Sequence, residues 1–205
     1  MPTATVVVTV SREIGSYGSE IAERVAARLG WHLVDRRLVH ALARRLGVPL
    51  EEAAARDERV SPILERIAWN LSVALPEYVA GAPPLRPTDR HFRELTEHIL
   101  RRALDAGPCV IVGHGAQVVF AGRTDAFHVR VYAPRDVRIA RLRERLGLDE
   151  AEAADRVRRT DADRAAYLRR HYGRDWTDPA LYHLQMNTAY FGADEAAELI
   201  VRALR

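Results

Sequence analysis

Short apolar runs alternate with longer amphipathic stretches along this chain. Val6–Val10 and Cys109–Gly113 are apolar at almost every position, which is typical of strands that are buried on both faces of a sheet. Other stretches repeat their apolar residues at helical spacing, and Ile21–Gly30 also ends at a glycine, a common helix stop. The pattern predicts strands at 6–10, 31–35, 109–113 and 126–134, and a last short strand within 179–188.

Strands that alternate with helices predict an α/β fold, in which a parallel sheet of about five strands has helices on both faces. We expect the first strand and the third to be adjacent or nearly adjacent in the middle of this sheet. The length of 205 residues suits one compact domain. Helices are predicted at 19–29, 36–47, 50–56, 61–75, 89–107, 134–147, 148–173 and 194–205, and the loop 76–88 contains four prolines.

The charged residues exclude several classes of protein. All 31 basic side chains are arginine, and 28 acidic residues interleave with them, so the formal net charge is only +3. A nucleic-acid-binding protein would show a patch of one sign, so nucleic acid is not the expected partner. Cys109 is the single cysteine, which excludes a disulfide framework. Neither a signal peptide nor an apolar stretch of membrane-spanning length is present, and we expect a cytoplasmic protein without a membrane partner.

A glycine-containing polar loop, SREIGSYGSE, joins the first strand to the first helix. Strand, glycine loop and helix form an architecture that binds phosphate, because backbone N–H groups converge on the anion at the helix N-terminus. An ordinary strand–helix turn also favours glycine, and the spacing alone leaves both readings open. The candidate phosphate cradle comprises Gly15, Ser16, Tyr17, Gly18, Ser19 and Glu20.

Arg12 is the best substitute for the lysine of an ordinary phosphate-binding loop, since the chain contains no lysine. It lies at the mouth of the loop, and a guanidinium can bind two phosphate oxygens at once. The alternative is a salt bridge from Arg12 to Glu13 or Glu20.

Further candidates follow the second and third strands. Asp35 ends the second strand and Arg36 follows it, and His114 lies between two glycines after the third. The carboxyl ends of parallel strands form the edge at which ligands bind, so these three residues are candidate substrate contacts. A helix-capping aspartate and an incidental turn histidine are the alternatives.

A charge-dense helix near the C-terminus carries three candidate catalytic arginines, Arg156, Arg159 and Arg164. Arginines can neutralise the charge that spreads over a transferring phosphoryl group. The alternative is a solvated helix in which these side chains pair with neighbouring aspartates.

Four segments together resemble the cytidylate kinase-like family, a branch of the P-loop nucleoside monophosphate kinases. They span nearly the whole chain and are VTVSREIGSYGSEIAERVAARLGW, LVDRRLVHALA, CVIVGHGAQVVFAGRTDAFHVRVYAP and DADRAAYLRRHYGRDWTDPALYHLQMNT. The resemblance implies a three-layer P-loop fold with a helical, substrate-side insertion at about 48–107 and an arginine-bearing lid at about 148–175. It also implies ATP as the donor, Mg²⁺ held by Ser19, and a nucleotide or other small molecule as substrate.

Aligned with an ordinary P-loop, Arg12 takes the first glycine position and Gly18 takes the lysine position. His114 and Gly115 occupy the turn where true cytidylate kinases have an arginine–aspartate pair, which predicts that CMP is a poor acceptor. The missing lysine favours the alternative of a catalytically weak nucleotide-binding or regulatory module. An apolar stretch at 68–78 could bury itself in a homodimer.

Overall fold

The computed structural model describes residues 4–35, 39 and 89–204, and for residues 89–92 it describes the backbone alone. The predictions for residues 36–38 and 40–88 therefore lie outside the described residues. They include the predictions for Arg36 and for the stretch 68–78. The insertion is described only from residue 89 onward.

In the described residues, five parallel strands form one sheet, as the alternation of strands and helices predicted. They are β1 (Val7–Arg12), β2 (His32–Val34), β3 (Cys109–Val112), β4 (Ala126–Tyr132) and β5 (Leu184–Asn187). Their order across the sheet is β2-β3-β1-β4-β5. The central position of β1 beside β3 is confirmed, with Val7 opposite Cys109 and Val10 opposite Val112.

Helices cover both faces of the sheet. Those in the described ranges are α1 (Gly18–Leu29), α2 (Asp89–Asp105), α3 (Ala116–Val119), α4 (Arg135–Leu146), α5 (Glu150–Tyr172) and α6 (Ala193–Ala203). Val8 and Val10 belong to the same core cluster as buried residues of α1 and α6. Val7 and Ile111 belong to the cluster on the opposite face, with residues of α2 and α3. The alternating directions of neighbouring side chains in β1 thus build a three-layer fold.

Local sequence signals explain the ends of α5, the helix of the predicted lid. Asp149 accepts a hydrogen bond from the Glu152 N–H at 2.8 Å, and the Glu152 side chain accepts one from the Asp149 N–H at 3.0 Å. This capping box starts the helix, and Gly173 ends it with a left-handed φ of 63°. The predicted lid is therefore one continuous helix over 23 residues.

Two other sequence expectations concern the core and the membrane. Cys109 is fully buried, and burial raises the pKa of its thiol to about 12, so this cysteine is a small core residue rather than a nucleophile. None of the helices in the described ranges combines the length and the apolar character that a membrane span requires.

Candidate active site

The loop between β1 and α1 has its carbonyl groups bound to the protein. Six consecutive carbonyl oxygens, from residue 12 to residue 17, each accept a hydrogen bond. The donors are Arg164 Nη1 to Arg12 O (2.6 Å), Ser16 Oγ to Glu13 O (2.8 Å), Arg138 Nη1 to Ile14 O (3.5 Å), Arg141 Nη1 to Gly15 O (3.2 Å), Thr188 Oγ1 to Ser16 O (3.0 Å) and Ile21 N to Tyr17 O (2.9 Å). The loop is therefore held through its acceptors, so that its remaining donors can serve a ligand.

The start of α1 offers those donors. Tyr17 is the N-cap and makes no side-chain capping bond, and the first three helical residues are Gly18, Ser19 and Glu20. The N–H groups of the first helical turn have no intrahelical partner, and the helix dipole adds positive charge there. Gly15 and Tyr17 both have left-handed φ, 77° and 61°, which bends the loop around this point. The geometry fits a phosphate group, and the exposed Ser19 is available to a metal ion on that phosphate.

The side chain of Arg12 crosses the edge of the sheet over two glycines. A Cβ on Gly18 would collide with the Arg12 Cβ and lie 3.0 Å from its Cγ. A Cβ on Gly113, in the turn after β3, would collide with Arg12 Nη1 and lie 3.4 Å from Cζ. The guanidinium thus lies between the phosphate loop and the turn after β3. Glycine at position 18, where an ordinary P-loop has lysine, leaves room for this arginine.

Buried charges support the loop from below. Arg138 of α4 is 6% exposed, and its backbone lies against Gly15. Its guanidinium donates from Nη1 to Asp161 Oδ2 at 2.6 Å, and its Nε lies 3.2 Å from Glu13 Oε2. The other Glu13 oxygen lies 3.3 Å from Arg130 Nη2. The carboxylate that follows Arg12 in the chain is therefore engaged by Arg130 and Arg138.

A second arginine of α4 fixes the outer side of the loop. Arg141 donates to Gly15 O and to Thr188 O, the latter at 2.6 Å, and its Cζ lies 4.1 Å from the centroid of the Tyr17 ring. Both side chains line a cavity of about 300 Å³ between the loop and α4. Arg145, which also lines this cavity, forms an ion pair with Glu20.

The three lid arginines have different surroundings. Arg164 binds the carbonyl oxygen of Arg12 and so lies at the loop. Arg159 is exposed and pairs with Asp155 at 2.6 Å, and Arg156 is also exposed. Of the three, only Arg164 is brought to the loop by the structure. The catalytic roles of all three stay predictions.

The turn after β3 is enclosed by an aromatic ring of α5. Gly113, His114 and Gly115 all have left-handed φ, between 58° and 79°. The Tyr172 ring lies against Gly115, with its Cζ 3.1 Å from where a Cβ would stand, and the Tyr172 hydroxyl donates to His114 O at 3.4 Å. Asp35 follows β2, next to β3 in the sheet, and its carbonyl accepts from Val39 N at 3.2 Å.

Sequence reasoning missed the supporting residues. Glu13 appeared only as a possible partner of Arg12, and Arg138 and Arg141 were not among the candidates. The one signal was their spacing: three residues apart, Arg138 and Arg141 share a side of the helix that follows β4.

Comparisons with known proteins agree with this architecture. Residues 7–190 match the cytidylate kinase-like family. A cytidylate kinase of Methanopyrus kandleri is 26% identical over 211 residues, which cover 98% of this chain and 93% of that protein.

Two solved structures share the fold at low identity. A protein from Eubacterium ventriosum, described as uncharacterized, has a TM-score of 0.64 at 17% identity and covers 98% of both chains. A shikimate kinase from Bacteroides thetaiotaomicron has a TM-score of 0.53 at 16% identity, over 97% of this chain and 98% of that one. Because the family match spans most of the sequence, the resemblance noted above is confirmed: this chain belongs to the cytidylate kinase-like family.

Proposed function

We propose that this protein is an ATP- and Mg²⁺-dependent phosphotransferase that acts on a nucleoside monophosphate or another small molecule. The observation that carries the proposal is the position of the Arg12 guanidinium, between the start of α1 and the turn after β3. Phosphoryl transfer needs a cation between donor and acceptor, because charge spreads over the transferred group. Family membership supports the same reaction class.

The donor phosphates would bind the N–H groups at the start of α1, and the Ser19 hydroxyl would contact the metal ion. In the bound state, ATP supplies the phosphoryl group and Mg²⁺ neutralises its phosphates. The described residues contain no group of three metal-ligating side chains. This agrees with an ion held mainly by phosphate oxygens and water, as Mg²⁺ commonly is.

The arginines of the lid would complete the charge neutralisation. Arg164 already reaches the loop, where it fixes the carbonyl of Arg12. Arg159 could exchange the carboxylate of Asp155 for a phosphate, and Arg156 is exposed on the same helix. Bidentate guanidinium–phosphate contacts suit this task.

The acceptor side favours a compound other than CMP. Tyr172 occupies the space in which a side chain at position 115 would stand, so an aspartate there could not contact a base without displacing that ring. His114 then remains as the candidate acceptor contact, beside Asp35 at the same sheet edge. A site that offers a base no hydrogen-bonding partners discriminates poorly between that base and others.

A coupled ADP-release assay tests the function directly. CMP, dCMP, UMP, AMP and GMP are each offered with ATP, with and without Mg²⁺. We expect Mg²⁺-dependent turnover with an acceptor other than CMP. Fast turnover of CMP at a micromolar Michaelis constant would overturn the specificity proposal and support the kinase. A protein that binds ATP and turns over none of the acceptors would favour the catalytically weak module, which the missing lysine suggests.

Substitution of Arg12 provides the mechanistic test. Loss of one preorganised donor costs about 2–4 kcal/mol in the transition state, so Arg12→Ala should lower kcat/KM by about 30- to 1000-fold. Arg28→Ala is the matched control, because Arg28 lies on α1 and pairs with Asp194 on the surface. If Arg12→Ala retains activity within about threefold of the unmodified protein, the Arg12 side chain is structural only.

A further inference from the structure

A cluster of buried polar side chains lies at the end of β1, on the face of the sheet opposite to the Arg12 side chain. It contains Ser11, which precedes Arg12 in the strand and so points to the other face. Its other members, Trp176 and Tyr182, come from the segment that joins α5 to β5. All three are at most 8% exposed. Buried polar groups need hydrogen-bonding partners, and these three side chains find them in one another.

The three residues form a closed ring of hydrogen bonds. Trp176 Nε1 donates to Ser11 Oγ at 2.6 Å, and Tyr182 Oη donates to the carbonyl oxygen of Trp176 at 2.8 Å. Tyr182 Oη also lies 3.3 Å from Ser11 Oγ. Because a phenol has one proton and Tyr182 uses it on Trp176, the Ser11 hydroxyl supplies the proton of this last contact. Hydrogen bonds in such a network strengthen one another.

The Trp176 ring also reaches the residue that follows Arg12 in the chain. The Cζ of Arg130 lies 5.5 Å from the centroid of this ring, a cation–π distance. Arg130 Nη2 in turn donates to Glu13 Oε1 at 3.3 Å. Trp176 thus contacts Ser11 directly and Glu13 through Arg130, so that the residues on both sides of Arg12 are held by one side chain.

This support bears on catalysis because the Arg12 side chain is long. Its guanidinium lies beside Gly113, in the turn after β3, and follows any tilt of the backbone that carries it. A displacement of about 1 Å in a group that contacts the reacting atoms can lower a rate about 100-fold. Restraints on Ser11 and Glu13 therefore affect the rate as well as the stability of the fold.

We propose that Trp176 is a positioning residue for phosphoryl transfer, which holds Ser11 and Glu13 and thereby sets the place of the Arg12 guanidinium. The inference rests on the proposed function, because it takes Arg12 to be the cation between donor and acceptor. Since Trp176 lies shortly after the end of α5, the same contacts fix the C-terminal end of the predicted lid relative to β1.

A double-mutant cycle with Arg12→Ala separates positioning from structural support. Trp176→Phe removes the Nε1 donor and keeps an aromatic ring beside Arg130. Tyr182→Phe removes only a hydroxyl, and it keeps the test decisive if Trp176→Phe does not fold. Trp31→Phe is the matched control, because Trp31 is half-buried against the core cluster on the α1 face of the sheet. Each variant is made alone and with Arg12→Ala. The values of kcat and KM for MgATP are measured with the best acceptor from the coupled assay, or with water where no other acceptor is used.

We expect Trp176→Phe to lower kcat about tenfold and Tyr182→Phe about threefold, because a displaced Arg12 guanidinium stabilises the transition state less. The KM for MgATP should stay within about twofold. Combined with Arg12→Ala, neither substitution should lower kcat by more than about a further twofold, since the guanidinium that they position is gone. Trp31→Phe should leave kcat unchanged in both backgrounds.

Equal losses of kcat with and without the Arg12 side chain would overturn the inference, since a loss of packing alone acts independently of Arg12. An unchanged kcat in both Trp176→Phe and Tyr182→Phe would overturn it as well. If the unmodified protein transfers phosphate to no acceptor, water included, the proposed function itself is refuted and the inference with it.

Discussion

Glu13→Gln removes one negative charge from the buried network under the phosphate loop. The Glu13, Arg130 and Arg138 side chains are only 13%, 11% and 8% exposed. The carboxylate accepts hydrogen bonds from Arg130 Nη2 and the Ala133 N–H, both at 3.3 Å, and forms an ion pair with Arg138, whose Nε lies 3.2 Å away. Glutamine has the same shape but keeps one acceptor oxygen, so its amide N–H₂ group faces at least one of these donors.

The size of the effect follows from those contacts. A hydrogen bond to a charged group contributes about 1.5–3 kcal/mol, and a buried charge that loses its partner costs more. Arg138 retains Asp161 and the Ala133 carbonyl, which limits the loss. We therefore expect Glu13→Gln to lower the free energy of unfolding by about 2–3 kcal/mol. For a domain of this length that corresponds to a decrease in Tm of about 4–12 °C.

Thermal and urea denaturation measure this change, and Glu23→Gln is the matched control. Glu23 lies exposed on α1, so its substitution should change the free energy of unfolding by no more than about 0.5 kcal/mol. If both variants are equally stable, the ion pairs under the loop contribute nothing measurable. The reasoning that places Glu13 at the centre of the loop's support would then be wrong.

Two other predictions test the loop and the sheet. Gly18→Ala should weaken MgATP binding more than tenfold, because the new Cβ collides with Arg12, whereas Gly192→Ala enters open space and should bind MgATP normally; equal binding by both would contradict the close approach. Burial and the neighbouring His183 lower the pKa of His128 to about 4, below the 6.5 of an exposed histidine. The folded state therefore binds fewer protons than the unfolded state between these values, and stability should fall as the pH decreases from about 7 to 4. His128→Gln should flatten this slope in denaturation curves, and an unchanged slope would assign it to other groups.

The sheet could be predicted from the sequence because its physical basis is local. A parallel strand buried on both faces needs an unbroken apolar run, and Cys109–Val112 is one. Helix ends were equally visible: Gly30 and Gly173 have the left-handed φ that terminates α1 and α5. Because these signals are local, the predicted ends of α1 and α5 differ from the observed ones by at most two residues.

The support of the loop could not be predicted, because its contacts join distant parts of the chain. Glu13 meets Arg138 across 125 residues, and only the packing of α4 under the loop brings them together. Residue type did not distinguish the buried, structural cations from the exposed ones, since all 31 basic residues are arginine. In a chain with both lysine and arginine, a buried structural cation stands out more easily from the exposed ones.

The departures from the P-loop pattern at residues 12 and 18 are explained by one exchange of side chains. In the ordinary pattern a glycine ends the strand and a lysine begins the helix, whereas here Arg12 ends β1 and Gly18 begins α1. The Arg12 side chain passes over Gly18 and places its cation at Gly113, so the helix position must lack a Cβ. A chain with glycine at both positions would have no cation there, and one with arginine and lysine would have a steric collision. The arginine and the glycine therefore depend on each other, which accounts for a lysine-free loop that still brings a cation to the sheet edge.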